Sequence, residues 1–305
     1  MAREAVVARD SVDPAVGGEA GTDKADALVE RAGGARSGAA TPATLVRELR
    51  ALGLSAGDVV MVHASLKALG PVVGGAEAVV AALLDSVAPG GTLMGYASWD
   101  RSPYEETLNG ATLPAAEREA WPAFDPATAG VWRGFGLLNA FLCAAPGAVR
   151  SAHPDASMVA VGARAAALIG EHRLGQAFGP GSPLERLVAM GGKVLMLGAP
   201  LDTVTVLHHA EAIAAIPGKR RVTYEIPMLD ATGAKVWRRT EEFDSNHILD
   251  CFAEEGAMDA VEAIARLYVG EGLGRSGPVG SAACHLFDAA DIVAFGQDWL
   301  ETNFG

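Results

Sequence analysis

Apolar residues along this chain follow two rhythms. Short, mainly apolar stretches stand at 58–63 (DVVMVH), 92–97 and 194–197, the first two preceded by Gly and the last followed by Gly198. Runs of this length and bounding read as strands buried on both faces. Between them the chain is rich in helix formers and carries helix punctuation. Thr41 and Pro42 read as N-cap and first helical residue of a helix that stops at Gly53. A second helix is expected over 76–87, ending before Pro89-Gly90-Gly91, and another over 184–190, opened by Ser182-Pro183. Others are expected at 163–170, 204–216 (capped by Asp202 or Thr203), 247–252, 258–268 and 289–301. Strand, helix and strand over 58–97 make a βαβ unit, hence a parallel pair with a right-handed crossover. Residues 222–229 alternate and pair with 235–241 across Asp230–Gly233 as a hairpin. A polar knot, RSAHPDASMVAV (150–161), leads into a further strand, and 284–287 is a last short one. The order predicts an α/β fold.

Two stretches break the rhythm. Residues 1–40 have no sustained period and read as a flexible N-terminal tail, leaving 41–305 as a single α/β domain. Residues 99–146 read as an excursion from the sheet, with prolines at 103, 114, 122 and 126 and a short helix over 134–143. So long an irregular segment in a compact domain points to a lid or binding loop. QAFGPG (176–181) matches the phosphate-loop pattern Q-x-x-G-x-G of the general (GNAT) acetyltransferases. Pro180 removes one of the N–H groups such a loop needs, and no strand precedes it, so the match is set aside.

Charge narrows the chemistry. A formal net charge of −13 argues against nucleic acid and anionic membranes as partners and suits a cationic substrate. No apolar run reaches membrane-spanning length, and the first residues lack a basic segment followed by an apolar one. Cys143, Cys251 and Cys284 are odd in number and widely spaced, which fits a reduced, cytoplasmic protein without disulfides. His153, His208, His209 and Glu211 are the residues a metal would want. Adjacent histidines on a helix diverge and no HExxH is present, so no metal is expected. Oligomeric state leaves no mark in the sequence.

The strand at 194–197, the turn at Gly198–Pro200 and the helix after it place a turn at the carboxyl end of a sheet strand, where open α/β sheets bind ligands. On that helix Thr205, His208 and Glu211 recur every three residues, so imidazole and carboxylate can meet on one face. A carboxylate fixes the tautomer of a neighbouring histidine and raises its basicity, the wiring of a general base; a capped helix with polar residues at its edge is the plainer reading. Ser65, at the end of the 58–63 strand, can be nucleophile, hydrogen-bond donor or turn residue. Lys219, Arg220 and Arg221 can hold a phosphate or form a solvated turn. The residues themselves reach proton abstraction from a nucleophile and name no reaction.

Longer motifs add to this. GDVVMVHASLKALGPVVGG (57–75), SWDRSPYEETL (98–108), WPAFDP (121–126), RSAHPDASMVAVG (150–162), GPGSPLERL (179–187), LGAPLDTVTVLHHAEAIA (197–214) and GKRRVTY (218–224) resemble, in order, the aminoglycoside 3-N-acetyltransferases of the antibiotic N-acetyltransferase family, closest to the gentamicin-acetylating branch. The resemblance implies that family's own fold, a central mixed sheet flanked by helices, rather than the GNAT fold. It implies acetyl-CoA as donor and the 3-amino group of a 2-deoxystreptamine aminoglycoside as acceptor. It makes His208 the base with Glu211 its partner, and puts Ser65, Leu66 and Ser182 on the acetyl-CoA side, with backbone amides at 65–66 able to face a thioester oxyanion. Asp100, Glu105, Asp155, Asp202, Glu225 and Asp244 are the carboxylates available to a polycationic acceptor. An acyl-cysteine route through Cys143 is the rival mechanism. A same-fold enzyme for another amine and a non-catalytic binder that sequesters cationic antibiotics remain open.

Overall fold

The apolar runs become the middle of one sheet. In the computed structural model, which describes residues 38–305, Val59, Val60, Met61 and Val62 are all essentially inaccessible. The flexible-tail reading falls, for residues 1–37, outside the described residues. At its end Ala40 is buried and bridges to Val72.

In chain order the elements are α1 (Pro42–Leu52), β1 (Val59–Ala64), α2 (Leu66–Leu69), α3 (Gly75–Val87), β2 (Thr92–Tyr96), α4 (Tyr104–Thr107), α5 (Ala115–Ala120), α6 (Leu138–Ala144), β3 (Val149–Arg150) and β4 (Met158–Gly162). Next come α7 (Ala165–Ile169), α8 (Pro183–Ala189), β5 (Lys193–Leu197), α9 (Leu207–Ile213), β6 (Arg221–Leu229) and β7 (Lys235–Phe243). The chain ends with α10 (Ala260–Gly270), β8 (Arg275–Val279), β9 (Ala282–Asp288) and α11 (Ala289–Phe304). Seven strands form a mixed sheet in the order β3-β4-β2-β1-β5-β9-β8. Its centre, β2-β1-β5, is parallel, and antiparallel pairs flank it on both sides. The parallel β1–β2 pair is the expected βαβ unit.

Alternation along the central strands sends side chains to two cores. Val60, Val62, Leu93, Leu195 and Leu197 pack under α1, α3 and α6. Met61, Met94, Met158, Val194 and Met196 pack under α7 to α11. A third, smaller cluster of Trp99, Phe124, Tyr224 and Ile226 welds the 99–146 excursion to the β6–β7 hairpin. The excursion is therefore not a free flap: Phe124 donates its N–H to the Pro227 carbonyl at 2.8 Å.

Several elements differ from expectation, among them the short helices α2, α4 and α5 and the two-residue strand β3, which are unannounced. The helix expected over 204–216 starts only at Leu207, with no side-chain cap from Asp202 or Thr203; residues 201–203 form a short 3-10 turn instead. The helix expected at 247–252 is a 3-10 turn at Asp250–Phe252. Asp244 Oδ1 accepts from the N–H groups of Asn246 and His247, and this Asx turn competes with helix at that point. Strand β8 is an unexpected element, at the sheet edge, where a strand tolerates its Gly277 and Pro278.

Gly198 follows β5 with φ +67°, and a Cβ there would lie 2.8 Å from the Ala282 Cβ and 2.9 Å from the Ala68 Cβ. Gly198→Ala is expected to cost about 1–3 kcal/mol, read as a lower urea midpoint. An unchanged midpoint would show that the turn leading to α9 accepts a side chain.

Candidate active site

A cleft of about 560 Å³ opens where the parallel strands end. His63, Ala64 and Ser65 stand at and just beyond the end of β1, Tyr96 and Ser98 at and just beyond the end of β2, and Ala199 and Pro200 on the turn that follows β5. Carboxyl ends of parallel strands supply loops without interrupting the sheet, which is why the site forms there. The excursion closes one wall with Trp99, Tyr104, Trp132 and Phe135. Ser98 has φ +31°, a strained value for a non-glycine residue. Its carbonyl accepts from Arg150 Nη2 at 2.6 Å. The same guanidinium reaches the carbonyls of Ala129 at 2.7 Å and Gly130 at 3.1 Å. Arg150 thus clamps both ends of the wall, and the Phe124 ring lies under it.

His208 stands at the meeting point of this cleft and a smaller cavity of about 60 Å³ behind it. Its Nδ1 is 2.7 Å from Glu211 Oε2, three residues on along α9. With Nδ1–H donated to the carboxylate, Nε2 keeps its lone pair. Burial alone would depress the His208 pKa; the Glu211 carboxylate, by charge and hydrogen bond, and more distant Asp259 outweigh it, so the net direction is up. Burial pushes the Glu211 carboxyl up while His208 opposes that shift. Lys219 Nζ caps the helix's last turn by donating to the Glu211 and Ala212 carbonyls at 3.0 and 2.8 Å. A cation at a helix C-terminus is favourable.

The ring of His208 is also wedged from the side. Phe178 lies with its centroid 5.0 Å away, carried by the very loop that matched a phosphate pattern. That loop is fixed from below by Glu242 on β7, whose carboxylate accepts from the N–H groups of Gly175 at 2.6 Å and Ala177 at 3.2 Å. His153 Nδ1 accepts from the Ala156 N–H, so its Nε2–H donates to Glu242 at 3.1 Å. His209 bonds the Phe178 carbonyl at 2.9 Å. The four residues considered as metal ligands therefore do not converge: His153 and His209 are committed to holding the loop.

The family model for aminoglycoside 3-N-acetyltransferase matches residues 61–301. The chain belongs to that family. It is 64% identical over 262 residues to "Aminoglycoside N(3)-acetyltransferase III" of Serratia marcescens, covering 86% of this chain and 97% of the relative. The solved structure of aminoglycoside acetyltransferase AAC(3)-IIb superposes with a TM-score of 0.86 at 63% identity, covering 88% of this chain and 99% of the other. AAC-IIIb, solved as a binary complex with CoASH, superposes at 0.82 with 45% identity over 88% of this chain and 98% of that one.

This aminoglycoside 3-N-acetyltransferase fold gathers some of the sequence candidates and scatters others. His208, Ser65, Asp100, Glu105, Asp155 and Asp202 line the cleft; Glu211 lies behind His208. Burial raises the pKa of Asp155, against a 2.8 Å hydrogen bond from Ser102, and raises that of Asp202 with help from Glu262 and Asp259. Glu225 does not line the cleft; Arg118 binds its carboxylate from the excursion side. Asp244 is buried against Arg220 and the backbone of 246–247. Ser182 is fully buried, its hydroxyl capping α8 through the Glu185 N–H. Leu66 packs toward the α1–α3 core. Ser65 spends its hydroxyl on the Ala68 N–H and its own N–H on the Leu197 carbonyl, at 3.2 and 3.0 Å. Of the two amides expected to face an oxyanion there, that of Ser65 is thus already committed. Lys219, Arg220 and Arg221 all have protein partners: α9 carbonyls, Asp244 with Asp250, and Glu241. Tyr104, Phe178, Ser245 and Asn246 line the cleft unforeseen; only the length of the excursion hinted at the first.

The His208 ring is expected to titrate above the ordinary imidazole value by NMR. A folded pKa above the unfolded one contributes stability that is full at low pH and is lost as pH rises through the folded pKa. In Glu211→Gln burial acts without the carboxylate, so the titration should fall below the ordinary value; an unmoved titration would overturn the electrostatic account.

Proposed function

We propose that this cleft acetylates the 3-amino group of gentamicin-type aminoglycosides in the cytoplasm, by direct transfer from acetyl-CoA with His208 as general base. The observation that carries the reading is the 2.7 Å His208–Glu211 contact at the inner end of a cleft edged by four carboxylates. At neutral pH the acceptor amine is an ammonium and has no lone pair. His208 Nε2 takes one proton from it and passes that proton to solvent. The free amine attacks the thioester carbon, the C–S bond breaks, and CoA thiolate takes up the second proton the nitrogen sheds. Asp100, Glu105, Asp155 and Asp202 attract and orient the polycation. The aromatic wall of Trp99, Tyr104 and Trp132 shapes the acceptor side.

An acyl-cysteine route has less support. Cys143 packs with the α1–α3 core rather than in the cleft, and burial raises its thiol pKa, with Arg150 opposing. A thiol so placed lacks the activation a nucleophile requires.

Thiol release from acetyl-CoA with gentamicin, kanamycin, tobramycin and apramycin tests the proposal. Acceptor-dependent release should be fastest with gentamicin, and His208→Ala should lower kcat by about 10²–10⁴. Release that survives in His208→Ala would overturn the base assignment; antibiotic binding with no release would favour a sequestering protein. Asp100→Asn with Glu105→Gln should raise KM for the aminoglycoside and leave kcat nearly unchanged. An equal fall in both kcat and kcat/KM would move these carboxylates from binding into the transition state.

A further inference from the structure

Besides His208, the cleft holds a second histidine that the mechanism above leaves idle. His63 is the penultimate residue of β1 and lines the cleft. Alternation places it on the same sheet face as Met61, the face that α9 covers. Its Nε2 is shut off from solvent and has no protein hydrogen-bond partner. An unpaired buried polar atom is destabilising, and a folded chain that keeps one calls for an explanation. Among the described residues its Nδ1 makes no protein hydrogen bond either, and unlike Nε2 it is not shut off from solvent.

Burial first, and the nearby His208 second, hold His63 down to about 4. At working pH the ring is neutral, with one N–H and one lone pair. An orphan buried N–H is rarer than an under-satisfied acceptor. The favoured tautomer therefore turns the lone pair of Nε2 inward and points Nδ1–H at the cleft. A neutral imidazole beside a base that becomes cationic stays a hydrogen-bond donor and does not become an acid.

We propose that His63 Nδ1–H donates to the carbonyl oxygen of the acetyl thioester and holds the oxyanion that forms there. The proposal rests on reading the cleft as the site of direct transfer. When the amine nitrogen bonds to the thioester carbon, the C=O electron pair moves onto oxygen. His63 hydrogen-bonds that oxygen without transferring its proton. The pair returns as the C–S bond breaks, and His63 ends as it began. The Ser65 amide is tied to Leu197, which removes one of the two backbone donors expected at this strand end and leaves a place for a side-chain donor beside the Leu66 amide. A donor fixed in a dry wall and aimed at developing charge needs no reorganisation during reaction.

Three variants test it, with the amide positions as rulers: the Asn side-chain nitrogen falls near Nδ1 of histidine, that of Gln near Nε2. His63→Leu is expected to lower kcat by about 10²–10³, to leave KM for acetyl-CoA and for gentamicin close to that of the unmodified enzyme, and to leave Tm unlowered, since the unpaired nitrogen is gone. His63→Asn should recover part of the rate and His63→Gln should not. A rate in His63→Leu equal to that of the unmodified enzyme overturns the proposal, as does a loss confined to KM. Rescue by Gln and not by Asn overturns the Nδ1 assignment. Loss of rate matched by loss of Tm in all three variants overturns it in favour of a structural role. The two readings fail separately: an undiminished rate in His208→Ala overturns the base, and an undiminished rate in His63→Leu overturns the oxyanion donor.

Discussion

A buried carboxylate and an imidazole 2.7 Å apart on one short helix set the conditions for the rest of this molecule. Glu211 is 3% exposed. Leaving such a carboxylate without a partner costs several kcal/mol, so the pair must be held in register. The fold does this from three sides. Lys219 secures the carbonyl end of α9, Phe178 presses on the His208 ring, and α9 itself packs through Leu207 and Ala210 on α11 and the sheet. The negative partner keeps the imidazole basic in a place where burial would strip it of a proton.

The surroundings of the pair are built to a different rule. Among the described residues the carboxylates that line the acidic cleft have no guanidinium or ammonium partners of the kind Glu225 and Asp244 have. Like charges gathered in a cleft repel one another, and a polycationic ligand relieves that repulsion on binding. The walls that carry them are correspondingly well fixed. Arg150 grips the excursion at Ser98, Ala129 and Gly130, and the Trp99–Phe124–Tyr224–Ile226 cluster joins it to the hairpin. A polycation is met by a preformed surface, with little ordering cost at binding.

Histidine does four separate jobs within this region, and neighbours decide which. His208 is paired with a carboxylate and kept basic. His153 donates to Glu242, and His209 to the Phe178 carbonyl; both serve the loop at 175–178. His172 bonds Ser151 and the Gln176 and Ala177 carbonyls, and burial holds it down to about 3. His63 alone of these five has no partner on either ring nitrogen among the described residues.

Sequence alone determined the frame. Short apolar runs bounded by Gly or Pro read as buried strands, so the strands at 58–63, 92–97 and 194–197, and the parallel β1–β2 pair of the βαβ unit, follow from the sequence. Thr41-Pro42, Ser182-Pro183 and Gly53 mark helix ends because capping is local chemistry. The i, i+3 spacing of His208 and Glu211 is a property of one helix, and their contact was legible for the same reason. What joins distant segments was not. No local signal says that Arg118 takes Glu225, that Arg220 takes Asp244, or that the Ser65 amide is spent on Leu197, since each pairing closes a loop of many residues. The role of QAFGPG as the wall behind His208, and the isolation of His63, depend on which side chains the fold happens to bring within reach. Periodicity and capping act over one or two turns, whereas a site at the ends of three strands is a property of the sheet that aligns them.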